Sequence, residues 1–376
     1  AMAACGNGSQ WERALELLNQ MKEKNMRINI ITYNSAITAL AKASRNNARS
    51  STRTSTGSSS SSSSSSLDEP RLHRRHVEFG GGVDKEQLWK RALALLKEIK
   101  DNGIQPDVYS YSSAISACGS AGRYEEAIDL IKMMRENGVQ PNAIAYTGAI
   151  SACARCGEWA PAMQLFIDMK ADGIQCDVVA YNAIISALSN GNKAKMAYEF
   201  WNEMCGKGDD NVRNIQPDII TLTSVISCLN RSGSEKDLEI MDVAFADAVE
   251  RQIVLRDDSM DTASEFDLSG MSLPVARATV RFILRRLLES DQTHCKENLI
   301  LITGVGRNHN TSKRRIEDEG ADPSTSANGG TTALREYVRQ VLRDDFNPPI
   351  YSTVPKLAMG TIEVNKDIIN KWMDSQ

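Results

Sequence analysis

Five short polar side chains recur at one place in this chain: Asn34, Ser112, Thr147, Asn182 and Thr223. The first four directly follow Tyr33, Tyr111, Tyr146 and Tyr181, and Thr223 follows Leu222. A second set, Asp107, Asn142, Asp177 and Asp218, closes the stretches that the first four open. A carboxylate only accepts hydrogen bonds, whereas an amide donates and accepts, so each pair offers its own donor and acceptor pattern. Two residues before each Tyr or Leu stands an apolar or aromatic residue: Ile31, Tyr109, Ile144, Val179 or Ile220. Further along, Asp267 ends a short apolar run, and Thr303-Gly304-Val305-Gly306 is a turn free of bulky side chains. An aspartate at a strand end can hold a cation or orient water, and backbone N–H groups in such a turn can approach an anion. Arg277, Arg281 and Arg285, at i, i+4, i+8, make one helix face that suits either solvent or a phosphate backbone.

The cysteines carry less. They stand at 5, 118, 153, 156, 176, 205, 228 and 295. Cys153 and Cys156 form a C-x-x-C, but no second pair follows at zinc spacing, so no metal site is assigned. Cys118 and Cys153 share one repeat position and read as small buried hydrophobes. A reducing compartment suits this usage. No apolar run approaches the length of a membrane-spanning helix, so no membrane partner is expected. The net charge of −4 weighs mildly against a nucleic-acid partner, although base readout needs few charges.

The elements that position the polar pairs repeat. Ser-Ala-Cys at Ser116–Cys118 returns at Ser151–Cys153 after 35 residues, and Asp107, Asn142 and Asp177 share that spacing. A fixed period of this size is the mark of a stacked repeat array. Within one period Tyr111, Ala114, Ile115 and Cys118 form one apolar helix face, and Ala127, Leu130, Ile131 and Met134 a second. Gly122 separates the two; Gly138 is placed to end the second helix in a left-handed cap, and Pro141 prevents its continuation. One such pair cannot bury its stripe alone, so the pairs stack into an α-solenoid.

The array is expected over residues 1–258, with a truncated first repeat beginning inside its first helix, which implies further sequence upstream. Residues 46–88, with the serine run Ser58–Ser66, read as a disordered insertion between two helices of one repeat. The repeats of Val178–Asp218 and from Ile219 onward continue the pattern. Residues 264–374 change texture: a strand near 265–268, a helix to about Ser290, a strand at 298–303, a polar insertion at 308–330, a helix at 332–342, strands near Ile350 and at 361–364, and a closing helix at 367–373. The fold class is mainly α, a solenoid followed by a small α/β layer.

The 35-residue period, Tyr-Asn-x-x-Ile in the first helix, Leu165-Phe166-x-x-Met169 in the second and the Gly173-Ile174-Gln175 closure resemble pentatricopeptide repeats. Tetratricopeptide repeats have a period of 34 and a Trp/Gly/Tyr pattern that is absent here. The C-terminal segment is similar to the Smr domain through FDLSG at 266–270, TGVG at 303–306, ALREYV at 333–338 and GTIEV at 360–364. That family usually carries Leu-Asp-x-His; Asp267 matches, Ser269 stands in place of the histidine, and His309 lies one residue from the family's second histidine.

The first resemblance implies sequence-specific binding of single-stranded RNA, one base per repeat. The base-reading pairs would be Asn34/Asp107, Ser112/Asn142, Thr147/Asp177 and Asn182/Asp218, with Thr223 lacking a secure partner. Ile31, Tyr109, Ile144, Val179 and Ile220 would wedge between bases. The family's tendencies assign U, A, G and U to the four pairs, a 5′-UAGU-3′ core. They also imply a plastid or mitochondrial RNA-processing factor that needs no cofactor to bind RNA. The Smr resemblance implies a nucleic-acid-binding domain or, alternatively, an RNA endonuclease using Asp267, Thr303, Gly304, Gly306 and His309, with Mg²⁺ if active. A protein-binding helical scaffold is the rival of another class, but a scaffold has no need of polar pairs in register.

Overall fold

The structure is a computed structural model that describes residues 10–54, 85–207, 215–255, 264–289, 295–304, 329–355 and 360–376. The chain forms two compact units, Ala1–Gly191 and Asn192–Gln376. In the first unit the described helices are α1 (Trp11–Glu23), α2 (Ile30–Thr54), α3 (Lys85–Asp101), α4 (Val108–Ser120), α5 (Tyr124–Glu136), α6 (Ala143–Cys156), α7 (Trp159–Ala171) and α8 (Val178–Asn190).

Helices α2, α4, α6 and α8 open successive repeats and bury Tyr33, Tyr111, Tyr146 and Tyr181. In α4 the expected face of Tyr111, Ala114, Ile115 and Cys118 is wholly buried, as are Ala127 and Met134 of α5. Burial pushes the thiols of Cys118 and Cys153 up to about 12, so both act as apolar side chains. Helix α5 ends as its sequence requires. Gly138 takes φ +71°, its N–H donates to the Arg135 carbonyl (3.0 Å), and the Val139 N–H donates to the Met134 carbonyl (2.9 Å). The first helices approach closely at Gly119, where an added Cβ would lie 2.9 Å from the Gly148 carbonyl oxygen of α6.

Two of the buried tyrosines tie one second helix to the next. The Tyr33 hydroxyl donates to Glu98 of α3 (2.7 Å) and accepts from Asn102 (2.9 Å), and Glu98 also meets Lys22 of α1 (2.6 Å). Burial first, and then the bond to Glu98, pushes the Tyr33 phenol up to about 12. Tyr146 donates to Asp172, the C-cap of α7 (2.6 Å), and Arg135 of α5 bonds both. The bond from Tyr146, helped by Arg135, holds the Asp172 carboxyl below its ordinary value. At Tyr111 the position corresponding to Asp172 is Asn137, whose amide donates to the Met133 carbonyl (2.5 Å), and the buried Tyr111 hydroxyl has no hydrogen-bond partner among the described residues.

The second unit holds α9 (Ala194–Met204), α10 (Ile219–Ser232) and α11 (Glu235–Glu250), then β1 (Glu265–Asp267), α12 (Leu273–Glu289), β2 (Leu299–Ile302), α13 (Gly329–Asp344), β3 (Thr361–Val364) and α14 (Lys366–Met373). The sheet order is β1-β2-β3. β1 and β2 are parallel, joined through α12 as a parallel pair requires, and β3 is antiparallel to β2.

The three arginines of α12 correct the sequence reading. They do not form an open basic face. Arg277 grips Asp345 with two bonds of 2.6 Å and donates to Asn230 of α10 (2.9 Å). Arg281 grips Asp242 of α11 (2.9 and 2.7 Å), and Arg285 reaches the same carboxylate (2.8 Å). The repeat helices α10 and α11 are thereby joined to the α/β layer within one unit. Burial decides this: Asp242 and Asp345 are nearly covered, and covered carboxylates need charged partners.

Element edges also differ from expectation. Helix α2 runs on to Thr54 and α3 starts at Lys85, inside the interval 46–88 assigned to an insertion. Leu88 is fully buried because it opens the apolar stripe continued by Ala92, Leu96 and Ile99. Residues 55–84, where the serine run lies, are outside the described residues. In the 308–330 interval α13 already begins at Gly329, and 308–328 are likewise outside them. No strand forms at Ile350, which is buried and donates its N–H to the Leu342 carbonyl (2.9 Å); the bridge to β3 falls instead at Thr353, opposite Glu363.

Removing one partner from a buried ion pair strands the others. Asp242→Ala is therefore expected to destabilise the protein by about 3 kcal/mol in denaturant titration. Arg285→Ala, which removes the most exposed of the three arginines, should cost less than about 1 kcal/mol.

Candidate nucleic-acid interface

The residues that close each repeat turn out to be helix N-caps. The Asp107 carboxylate accepts from the Ser110 N–H (2.8 Å), Asn142 Oδ1 from Ala145 (2.9 Å), Asp177 from Ala180 (2.8 Å) and Asp218 from Thr221 (2.8 Å). All four take extended backbone before the helix starts, the geometry that lets a side-chain oxygen meet a free N–H of the first turn. The composition-level signal was present as Asp107-x-x-Ser110 and Asp218-x-x-Thr221, both of which form reciprocal capping boxes.

In the repeats opened by α2 and α4 the cap also reaches back to the polar residue of the preceding first helix. Asn34 Nδ2 donates to both oxygens of Asp107 (2.9 and 3.1 Å). The Ser112 hydroxyl donates to Asn142 Oδ1 (3.2 Å). Ser112 is only 7 % exposed, more covered than Asn34. Thr147 makes no hydrogen bond to Asp177 among the described residues. Asn182 lies on α8 of the first unit and Asp218 caps α10 of the second. The Thr223 hydroxyl turns back to the Ile219 carbonyl of its own helix (2.7 Å).

Ser110 was missed by the sequence reading. It is fully buried, and its hydroxyl lies 2.6 Å from Asn34 Oδ1 and 2.9 Å from Asp107 Oδ1, while accepting from the Asp107 N–H (3.2 Å). Asn34, Asp107 and Ser110 thus form a closed polar cluster.

The wedge positions are open. Ile31, Tyr109, Ile144, Val179 and Ile220 are between 60 % and 72 % exposed, although they stand on helices whose neighbouring positions are buried. Their recurrence in register makes them a candidate contact face.

In the C-terminal layer the strand register brings Asp267 opposite Ile302, so Asp267 and Thr303 sit at the same edge of the parallel pair. Asp267 is exposed and accepts from the Ser269 N–H (2.8 Å). Thr303 is buried, and its N–H and hydroxyl both donate to the Gly360 carbonyl (2.8 and 3.1 Å). Its hydroxyl is therefore a strand clasp. Gly304 follows it, whereas Gly306 and His309 lie outside the described residues. Among the described residues no group of three or more His, Cys, Asp or Glu is placed to hold a metal ion, and no helix is long and apolar enough to cross a membrane. Cys156 is exposed with its thiol on the Gly122 carbonyl (2.9 Å), and Cys153 is buried, so the C-x-x-C is not a joint site.

Sequence comparison matches the pentatricopeptide repeat domain at residues 94–155, the PPR repeat family at 2–42 and 176–231, and the PPR repeat at 144–174. The array is built of pentatricopeptide repeats. No curated protein sequence matches the chain. Among solved structures it is similar to the pentatricopeptide repeat protein PPR10 in complex with an 18-nt psaJ RNA element, with 21% identity, a TM-score of 0.45 and coverage of 77% of this chain and 38% of that one. It is also similar to the PPR domain of Arabidopsis thaliana protein-only RNase P 1 in complex with tRNA (20% identity, TM-score 0.38, 47% and 89% covered). A third likeness is nuclear proteinaceous RNase P 2 of A. thaliana (14%, 0.43, 63% and 41%). The chain thus spans 38% of the length of PPR10.

The double duty of the cap separates stability from pairing. Asp107→Ala removes both and should cost about 1 kcal/mol of stability, read as a lower melting temperature. Asp107→Asn keeps a capping oxygen and should stay within a few tenths of a kcal/mol of the parent.

Proposed function

We propose that the pentatricopeptide array binds single-stranded RNA and selects its sequence through the capped polar pairs. The observation that carries this reading is the Asn34–Asp107 contact beside the exposed Ile31 and Tyr109. A polar group already held by the protein meets a base edge without losing rotamer freedom on binding, and the flanking wedges cover the base faces. Aromatic stacking contributes on the order of 1–3 kcal/mol per base. The pairs within the first unit then specify U, A and G in order, and Asn182 with Asp218 adds U in the sequence pattern. Protein scaffolding gives no account of why the closing residue should hold a second polar group.

For the C-terminal layer the reading is a Smr-like nucleic-acid-binding domain. Its first characteristic segment begins on β1, Thr303 of the second follows β2, and the third and fourth fall on α13 and β3. Cleavage is the rival, and the exposed Asp267 beside the end of β2 favours it. Against it stands Ser269, whose hydroxyl does not exchange protons near pH 7 as a histidine does.

Gel-shift titration of the full chain should show tighter binding to single-stranded RNA containing 5′-UAGU-3′ than to scrambled or duplex RNA. Thr147→Asn should move the third preference from G toward U; equal affinity for all three RNAs removes the basis for the pairs. The same labelled RNA, incubated with Mg²⁺, distinguishes the two readings of the C-terminal layer. Binding alone predicts intact RNA with the parent and with Ser269→His. Cleavage that disappears in Asp267→Asn, with binding unchanged, supports the nuclease instead.

A further inference from the structure

We propose that Ser110 is a positioning residue for the repeat before its own: its hydroxyl locks the Asn34 amide, so that the Asn34/Asp107 pair presents one fixed donor and one fixed acceptor to uracil. The inference rests on the base-reading role of that pair and adds a residue to it.

The geometry leaves the amide one orientation. A carboxylate cannot donate, so the end of Asn34 facing both Asp107 oxygens must be Nδ2, and Oδ1 is the end that faces Ser110. The serine hydroxyl has one proton to give, and its closest acceptor is Asn34 Oδ1 at 2.6 Å. Its lone pairs face the Asp107 N–H at 3.2 Å. Asn34 is thus held at both ends of its amide. Held by Asp107 alone, it would pivot about a single anchor. An amide keeps a second N–H and a second lone pair after these bonds, and uracil offers N3–H beside a carbonyl oxygen, the complementary donor and acceptor. Ser110 is fully buried, so it acts only through Asn34.

The third residues of α4, α6, α8 and α10 follow the same pattern in sequence. Asn34 is followed in the next repeat by Ser110, and Asn182 by Thr221. Ser112 and Thr147, which have no carbonyl to hold, are followed by Ala145 and Ala180. Thr221 forms with Asp218 the same reciprocal capping box that Ser110 forms with Asp107. A requirement for capping alone gives no reason for the hydroxyl to accompany asparagine.

The experiment is competition binding of the full chain to UAGU-containing RNA and to variants changed at the first or second base. Ser110→Ala should lower the preference for U over C at the first base about fivefold, the factor carried by one hydrogen bond of typical net strength. Preference at the second base, read by Ser112 and Asn142, should not move. Ser110→Thr should restore the parent ratio. Ala145→Ser should leave the second base unaffected, because Ser112 offers no amide. A Ser110→Ala protein that binds every RNA more weakly by one common factor, with the U-over-C ratio intact, would show that the hydroxyl is only a cap and overturn the proposal. Failure of the parent itself to prefer UAGU would instead overturn the base-reading role.

Discussion

The array depends on the side-chain oxygen at the start of each first helix. The first turn of a helix leaves N–H groups without partners inside the helix, and Asp107, Asn142, Asp177 and Asp218 each supply the missing acceptor. The helix cannot start well without that bond, so the rotamer of the cap is set by folding and not by a ligand. In the repeats opened by α2 and α4 the same group also holds Asn34 or Ser112. Order that folding has already imposed need not be imposed again on binding. The surface is thereby prepared by the same bonds that start the helices.

A second constraint acts at the other end of the chain. Asp242 and Asp345 are covered by the packing of α10, α11, α12 and α13, and three arginines from one face of α12 neutralise them. The last repeat helices and the small sheet layer consequently share a buried charge network. A boundary drawn where the sequence texture changes, near residue 260, separates Arg281 from Asp242. The compact unit that begins at Asn192 keeps them together.

Much of this was legible because it repeats. The buried tyrosines, the apolar stripes of α4 and α5 and the left-handed Gly138 follow from periodicity and local chain geometry, which sequence records directly. The order of strands and helices in the C-terminal layer was also legible, apart from the strand expected near Ile350. The arginine face of α12 was misread because spacing shows that three charges share a face but not what the face meets; Asp242 and Asp345 are distant in sequence. Leu88 was assigned to a polar insertion because one apolar residue at its edge looks the same whether it ends a loop or begins a stripe. The cap function of Asp107 and Asp218 is written in their third neighbours, Ser110 and Thr221, a pattern that the base-reading assignment of the same residues does not use.

Gly119 and Gly148 carry a consequence of another kind. A methyl group on Gly119 would stand 2.9 Å from the Gly148 carbonyl, and one on Gly148 would press on Ile115 at 3.2 Å. Gly119 cannot gain a side chain without shifting α4 against α6, whereas at Gly148 the Ile115 side chain must give by a few tenths of an ångström. These helices carry Ser112 and Thr147, so their separation is the interval between two of the proposed base-reading positions. A residue with no side chain at all therefore gauges the approach of α4 to α6, and a chain that lost it would have to reset the spacing of everything mounted on those two helices.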